Sequence, residues 1–282
     1  MSMINQHVLM SGAEFFANDY AINPYMDSVD DIETAAAIAE HGRIRDAMAQ
    51  AGIHVIQVPA PEGCQDGVYT ANWGLCRGNK VLLSSLPPGR TSEMPYAKQV
   101  LSDIGKETIV SPYMFSGQGD ALPCGELAFV GTGYRTDARM HKVIADSLGY
   151  EVIGLKTLPH LPAGQPAKNL ITGLPDGFFY DLDLALAVLS SNLIAWCPEA
   201  FTASSRARLR KLDIDKIEVS LDEAMQGFAC NLISTGKTVV MSARAPLLKA
   251  AIEAKGLKTI TPAITELAKG GGYIRCVSLT LG

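Results

Sequence analysis

The chain has 282 residues, 48% of them hydrophobic and 19% charged, with a formal net charge of -5. That composition can bury a large core, which excludes a disordered chain, and its scattered Lys and Arg form no basic stripe, which excludes nucleic acid as an expected partner. No segment reaches the roughly 20 uncharged apolar residues that span a bilayer, and the N-terminus has no export signal, so a cytoplasmic protein without membrane contact is expected.

Taken in chain order, a first helix is expected over residues 31–51. Ile32, Ala36, Ala39, Ile44 and Met48 recur there at helical spacing, and Ser28 is placed to cap the start. It ends at Gly52-Ile-His-Val-Ile56, where glycine supplies the left-handed conformation that stops a helix. The same exit recurs as Gly105-Lys-Glu-Thr-Ile109, Gly149-Tyr-Glu-Val-Ile153, Asp213-Ile-Asp-Lys-Ile217 and Gly256-Leu-Lys-Thr-Ile260. Successive starts are 53, 44, 64 and 43 residues apart. Each exit leads into a short β-branched strand, and hairpins fall between them. The expected strand pairs are residues 67–72 with 80–84, 182–190 with 193–197 and 226–234 with 238–242. Ser190-Ser191-Asn192 and Thr235-Gly236-Lys237 are the tight turns of the last two.

The repeating unit is strand, strand, helix, strand. No single copy can bury its sheet face, so five copies around a common axis with helices outside are the economical solution. The expected fold is α/β, a five-bladed propeller formed as a single domain by residues 1–282, with the functional site where five loops converge on the axis. The longest interval carries Leu158-Pro-His160-Leu-Pro-Ala-Gly164-Gln-Pro166, a loop long enough to fold over the axial mouth. Cys64, Cys76, Cys124, Cys197, Cys230 and Cys276 show no C-x-x-C pair and no zinc spacing, so reduced thiols are expected.

Seven stretches, in order along the chain, carry a resemblance. They are Asp19-Tyr-Ala-Ile-Asn-Pro-Tyr-Met26, Asp66-Gly-Val-Tyr-Thr-Ala-Asn72, Ser116-Gly-Gln-Gly-Asp120, Gly133-Tyr-Arg-Thr-Asp137, Phe179-Tyr-Asp-Leu-Asp183, Phe228-Ala-Cys-Asn231 and Gly270-Gly-Gly-Tyr-Ile-Arg-Cys276. Together they resemble bacterial arginine dihydrolase and dimethylarginine dimethylaminohydrolase, of the pentein superfamily of guanidino-modifying proteins. The resemblance implies the pentein propeller and a cysteine thiolate, at Cys276, that attacks a guanidinium carbon and leaves an S-alkylthiouronium. It further implies substrate contacts at Asp66, Asn72 and Asp183, a lid near Asn23, and a carboxylate grip by Arg90 and Arg135. No metal or organic cofactor is implied. The partner is a small guanidino or amino-acid-like molecule, and a homodimer stays open.

Two positions depart from the family pattern. Asp181 stands where relatives have the general acid/base histidine, and Ser116 stands where they have a glutamate. An aspartate of ordinary pKa is a weak base near neutrality, and that function is worth roughly 10²–10⁴ in rate. Three readings follow: Asp181 carries the proton, His160 supplies the imidazole from its loop, or the chain binds a ligand without turnover. Asp181 and Asp183 are expected on one strand face, Cys230 in a core strand. Ser234-Thr-Gly-Lys-Thr238 looks like part of a phosphate loop but lacks its first glycine and forms a hairpin turn.

Overall fold

The computed structural model describes residues 3–26, 31–165 and 167–282. Five three-stranded sheets surround one axis, and each contains an antiparallel pair followed by a parallel strand. One sheet joins the two ends of the chain: Leu279–Thr280 (β15) pairs antiparallel with His7–Met10 (β1), which pairs parallel with His54–Gln57 (β2). The next two are Gly74–Arg77, Lys80–Leu83 and Glu107–Val110 (β3 to β5), then Ala121–Cys124, Leu127–Gly131 and Glu151–Leu155 (β6 to β8). The last two are Leu186–Ser190, Leu193–Trp196 and Asp215–Glu218 (β9 to β11), and Ile233–Ser234, Thr238–Val240 and Lys258–Ile260 (β12 to β14). Helices Thr34–Gln50 (α1), Glu93–Asp103 (α2), Met140–Leu148 (α3), Ala203–Lys211 (α4) and Pro246–Ala254 (α6) each precede the third strand of a sheet; the short α5 (Leu221–Gln226) and α7 (Glu266–Lys269) fill connections. This is the five-bladed α/β propeller expected from the repeat.

Burial orders the strands radially. The first strand of every blade is almost wholly buried, whereas the third begins exposed and is mostly half-buried beyond that. Around the axis β15 touches β3, β6 touches β9, and β9 touches β12. These inner strands run the same way by the repeat, so the residues just before them meet at one end of the axis and their last residues at the other.

The glycine exits behave as expected at Gly52, Gly105, Gly149 and Gly256, all with φ between +71° and +88°. Asp213 is the exception: α4 stops at Leu212 in extended conformation, so no left-handed residue is needed there. The first helix starts at Thr34, later than expected, and Ser28 lies outside the described residues. Its buried face is Ala37, Glu40, His41, Ile44, Ala47 and Met48, leaving Ala36 and Ala39 outside. A hydrophobic pattern misses this because Glu40 is buried to accept hydrogen bonds from the Thr265 and Leu267 N–H groups, at 2.7 and 3.0 Å, at the start of α7.

Three expected strands are shorter than the sequence suggests. Residues 67–72 are turn and 3₁₀ structure, and β3 begins only at Gly74; residues 182–184 and 226–232 are likewise not strand. Cys230 is buried as expected, but in a turn. Buried 3₁₀ residues mimic strand alternation, and that is where the site forms. All six cysteines are free, and among the described residues no helix is long and apolar enough to cross a membrane.

Candidate active site

Five segments, each just before an inner strand, converge at one end of the axis. Asn72 lies in the 3₁₀ turn Thr70–Trp73 before β3, and Ser116 precedes the turn Gly117–Gly119 before β6. Asp181 and Asp183 flank and enter the turn Leu182–Leu184 before β9, Asn231 precedes β12, and Cys276 precedes β15. Asp181 is the extended residue that opens the turn and Asp183 lies within it, so the two acids leave the backbone in different directions, where a continuing strand would have put both on one face. They therefore sit on a turn, not on the strand face read from the sequence.

Cys276 is buried, yet its sulfur faces polar groups. Its Sγ donates to Asp183 Oδ2 at 3.3 Å and accepts from Asn231 Nδ2 at 3.1 Å. The Asn231 side chain is itself fixed, because its Oδ1 accepts from the N–H groups of Arg275 and Cys276 at 3.0 and 3.2 Å. Beside this pair, Asn72 Nδ2 donates to Asp181 Oδ2 at 2.8 Å and to the Ser116 hydroxyl at 3.0 Å. Asp181 is thus held by an amide, and the carboxylate in contact with sulfur is Asp183. Of the two aspartates, the one within the 3₁₀ turn, Asp183, is the one that reaches the thiol.

Gly119 makes the close packing attainable. A Cβ there would overlap Asn72 Nδ2 and Asp181 Oδ2, so any larger residue drives the hydrogen-bonded pair apart. Asp181 Oδ1, Asp183 Oδ1 and the Tyr25 hydroxyl, around the well, are buried without a hydrogen-bond partner among the described residues. Unpaired buried acceptors are costly and uncommon, so two on adjacent carboxylates call for a donor-rich, cationic ligand.

Electrostatics agree with a crowded acidic well. Burial, with Asp183 and Asp181 alongside, pushes the Cys276 thiol well above its ordinary range, against smaller opposing hydrogen bonds from the Tyr273 backbone and Asn231. Burial and Asp181 likewise raise Asp183 well above the carboxylate range, opposed by Arg275. Asp120, whose carboxylate accepts the Leu182 N–H at 2.9 Å, is raised by burial and Asp181 to about 8. Asp66 is raised by burial to about 6 in spite of nearby Arg90. Burial thus moves both Asp66 and Asp120 toward neutrality.

Other expected contacts take different roles. Arg90 is no carboxylate grip: it is fully enclosed, paired with Glu93 at 2.6 and 2.8 Å, and it donates to Asn72 Oδ1 at 2.7 Å and to the Asp66 and Tyr69 carbonyls. It fixes the Asn72 amide so that its donors face Asp181. Arg135 lies over the Tyr180 ring at 4.0 Å and donates to the Ile22 carbonyl at 2.8 Å, joining the N-terminal loop to the well. Asn23 anchors that loop through the Gly270 carbonyl at 3.0 Å. His160 does not reach the sulfur; it bonds the Glu199 carbonyl at 2.9 Å and meets the Phe179 ring edge-on, because its loop packs against the rim at Pro159 and Gly177.

Asn231, Asp120 and Tyr25 lie within the stretches that carry the family likeness, but no local signal marks them out as site residues. Tyr25 and Phe228 pack with their rings tilted at 36° and centroids 4.7 Å apart, and both line a cavity of about 200 Å³. The larger cavity, about 290 Å³, is at the opposite end of the axis.

Comparison with known proteins accounts for this arrangement. The N,N dimethylarginine dimethylhydrolase (eukaryotic) family matches residues 12–281. The chain belongs to that family. An N(G),N(G)-dimethylarginine dimethylaminohydrolase of Mycobacterium tuberculosis is 32% identical over 96% of this chain and 84% of its own length. The bifunctional arginine dihydrolase/ornithine cyclodeaminase ArgZ of Synechocystis is 28% identical over 96% of this chain but only 37% of its own length. The crystal structure of the ArgZ N-terminal domain, a cysteine-to-serine variant bound to substrate, superposes with a TM-score of 0.87 at 28% identity, covering 98% of this chain and 97% of that one. A further structure of that domain is covalently bound to a reaction intermediate. Within the dimethylarginine dimethylhydrolase family fold, this chain carries its well on carboxylates and amides.

Proposed function

We propose that the chain is a cysteine-dependent hydrolase or transferase for a guanidino, amidino or ureido small molecule of arginine-derivative type, working through a covalent Cys276 adduct. One observation carries the reading: the nucleophile touches Asp183, and buried carboxylate oxygens on Asp183 and Asp181 have no donor among the described residues. A guanidinium supplies planar N–H donors and a positive charge at once.

The cation entering the well offsets the negative charge that holds the thiol protonated. The Cys276 proton passes to Asp183 Oδ2, and the thiolate adds to the guanidinium carbon. Collapse expels an amine, which takes that proton from Asp183 and leaves a thiouronium on sulfur. Water then attacks the same carbon while Asp183 accepts its proton, and the carbon–sulfur bond breaks to regenerate the thiol. Asp181, held by Asn72, binds the cation throughout; Asp66, Ser116 and Arg135 complete the substrate contacts, with Arg135 at the edge toward the Asn23 loop. The whole chain acts as one domain, as a cytosolic protein on a free small molecule, either alone or as a homodimer.

Intact-mass spectrometry after incubation with a panel of guanidino compounds tests this. The expected result is an added mass on Cys276, absent in Cys276→Ala, together with turnover. Neither adduct nor turnover with any member removes the proposal.

One observation favours a second reading, in which a ligand is bound and not turned over: among the described residues the sulfur's hydrogen-bond partners are a carboxylate and an amide, with no imidazole. Ligand-induced thermal stabilisation that is equal in the wild type and Cys276→Ala, without turnover, selects it.

A further inference from the structure

The opposite end of the axis holds a second, separate concavity. Residues of and beside the same inner strands line a cavity of about 290 Å³, with Cys76, Leu122, Val188 and Leu232 as apolar wall and exposed Gln6, Gly125 and Gly282 at the rim. That volume is at the small end of ligand pockets, which start at about 300 Å³.

Its polar floor is the Arg275 side chain. The guanidinium is buried, and its bonds go to neutral oxygens: Nη1 to the Ser278 carbonyl at 2.7 Å and Nη2 to Gln118 Oε1 at 2.6 Å. Gln118 is held in turn by Thr280, donating to its carbonyl at 2.8 Å and accepting its N–H at 2.8 Å, and the Thr280 hydroxyl donates to Asn5 at 2.7 Å. Among the described residues Arg275 forms no ion pair, whereas the enclosed Arg90 has Glu93. A cation locked by a rigid amide and facing an apolar cavity is a preorganised anion receptor, since buried charges are ordinarily paired.

We propose that this far pit is a ligand site for a small monocarboxylate with a short apolar tail, its carboxylate on Arg275 and its tail against Val188 and Leu122. The site stands independently of the chemistry at Cys276. It also abuts that chemistry, because Arg275 adjoins Cys276 and its charge acts on Asp183. A ligand in the pit and a cation in the well then influence each other's affinity reciprocally.

The probe is 4-methylpentanoate, compared with its neutral isostere 4-methylpentanamide, in calorimetric titrations of the wild type, Cys276→Ser and Val188→Trp. The acid is expected to bind at least tenfold more tightly than the amide, equally in Cys276→Ser, and at least tenfold more weakly in Val188→Trp, whose indole fills the pit. Intermolecular NOEs from the probe methyls to the Val188 and Leu122 methyls of the wild type give the same answer if Val188→Trp fails to fold. No binding, equal binding of the amide, loss of binding in Cys276→Ser, or NOEs to Tyr25 and Phe228 in place of the pit methyls overturns the proposal.

Discussion

Replacing Asp183 with asparagine separates the two effects this carboxylate has on the thiol. It removes an ionisable carboxyl whose oxygen lies 3.3 Å from Sγ while keeping the side chain's shape. Once ionised, that carboxyl acts on the thiolate, at an effective dielectric of about 20, with an upper bound of about 5 kcal/mol. Even a third of this exceeds the 1.36 kcal/mol that corresponds to a tenfold change, so the thiolate fraction at mildly alkaline pH is expected to rise at least tenfold. The same substitution removes the proton carrier, so turnover should fall roughly 10²–10⁴-fold. The assay pairs a pH titration of ultraviolet thiolate absorbance, with Cys276→Ala subtracted, with product formation from the best guanidino substrate. A more acidic but slower cysteine is the diagnostic combination, which simple disruption of packing does not produce. A thiol that titrates at unchanged or higher pH in Asp183→Asn, or turnover that survives, refutes the reasoning.

Asp66 gives a pH-dependent stability. Its folded pKa of about 6 lies above the ordinary 3.8, so the folded state binds its proton more tightly; the resulting stabilisation is complete below about 4 and is lost as pH rises through 6. Two pH units correspond to about 3 kcal/mol, so denaturant titrations should show the wild type losing about that much relative to Asp66→Asn between pH 4 and 7, and parallel curves would contradict the burial argument. Gly119→Ala places a methyl on the Asn72–Asp181 hydrogen bond and should cost about 1–3 kcal/mol by overpacking, with weaker binding of guanidino ligands as well. Wild-type stability and affinity in that variant would mean that the well tolerates rearrangement.

The periodic part of the molecule was legible because its causes are local. A helix that must turn back within one residue needs positive φ, so Gly52, Gly105, Gly149 and Gly256 mark the blades without any knowledge of neighbours. Hairpin turns at residues 190–192 and 235–237 are local for the same reason, and five such units leave few ways to bury their sheets. Cys276, Asp181, Asp183, Asn72 and Ser116 were legible only through family likeness, since nothing in spacing says that residues 72, 116, 181, 231 and 276 share one well.

What the chain could not announce was the work of contacts across the ring. Whether Asp181 or Asp183 meets the sulfur depends on a 3₁₀ turn replacing the start of a strand, and that turn is selected by packing at the axis. Arg90 reads as a free cation in sequence, but closure of the fold buries it against Glu93 and makes it the clamp on Asn72. His160 has a suitable imidazole on a suitable loop, and the loop's packing at Pro159 and Gly177 directs it to the Glu199 carbonyl instead. Local backbone chemistry thus determined the blades and their number, while the groups around the Cys276 sulfur and Asp181 were set by partners 45 to 109 residues away, because an electrostatic contact depends on separation in space and not along the chain.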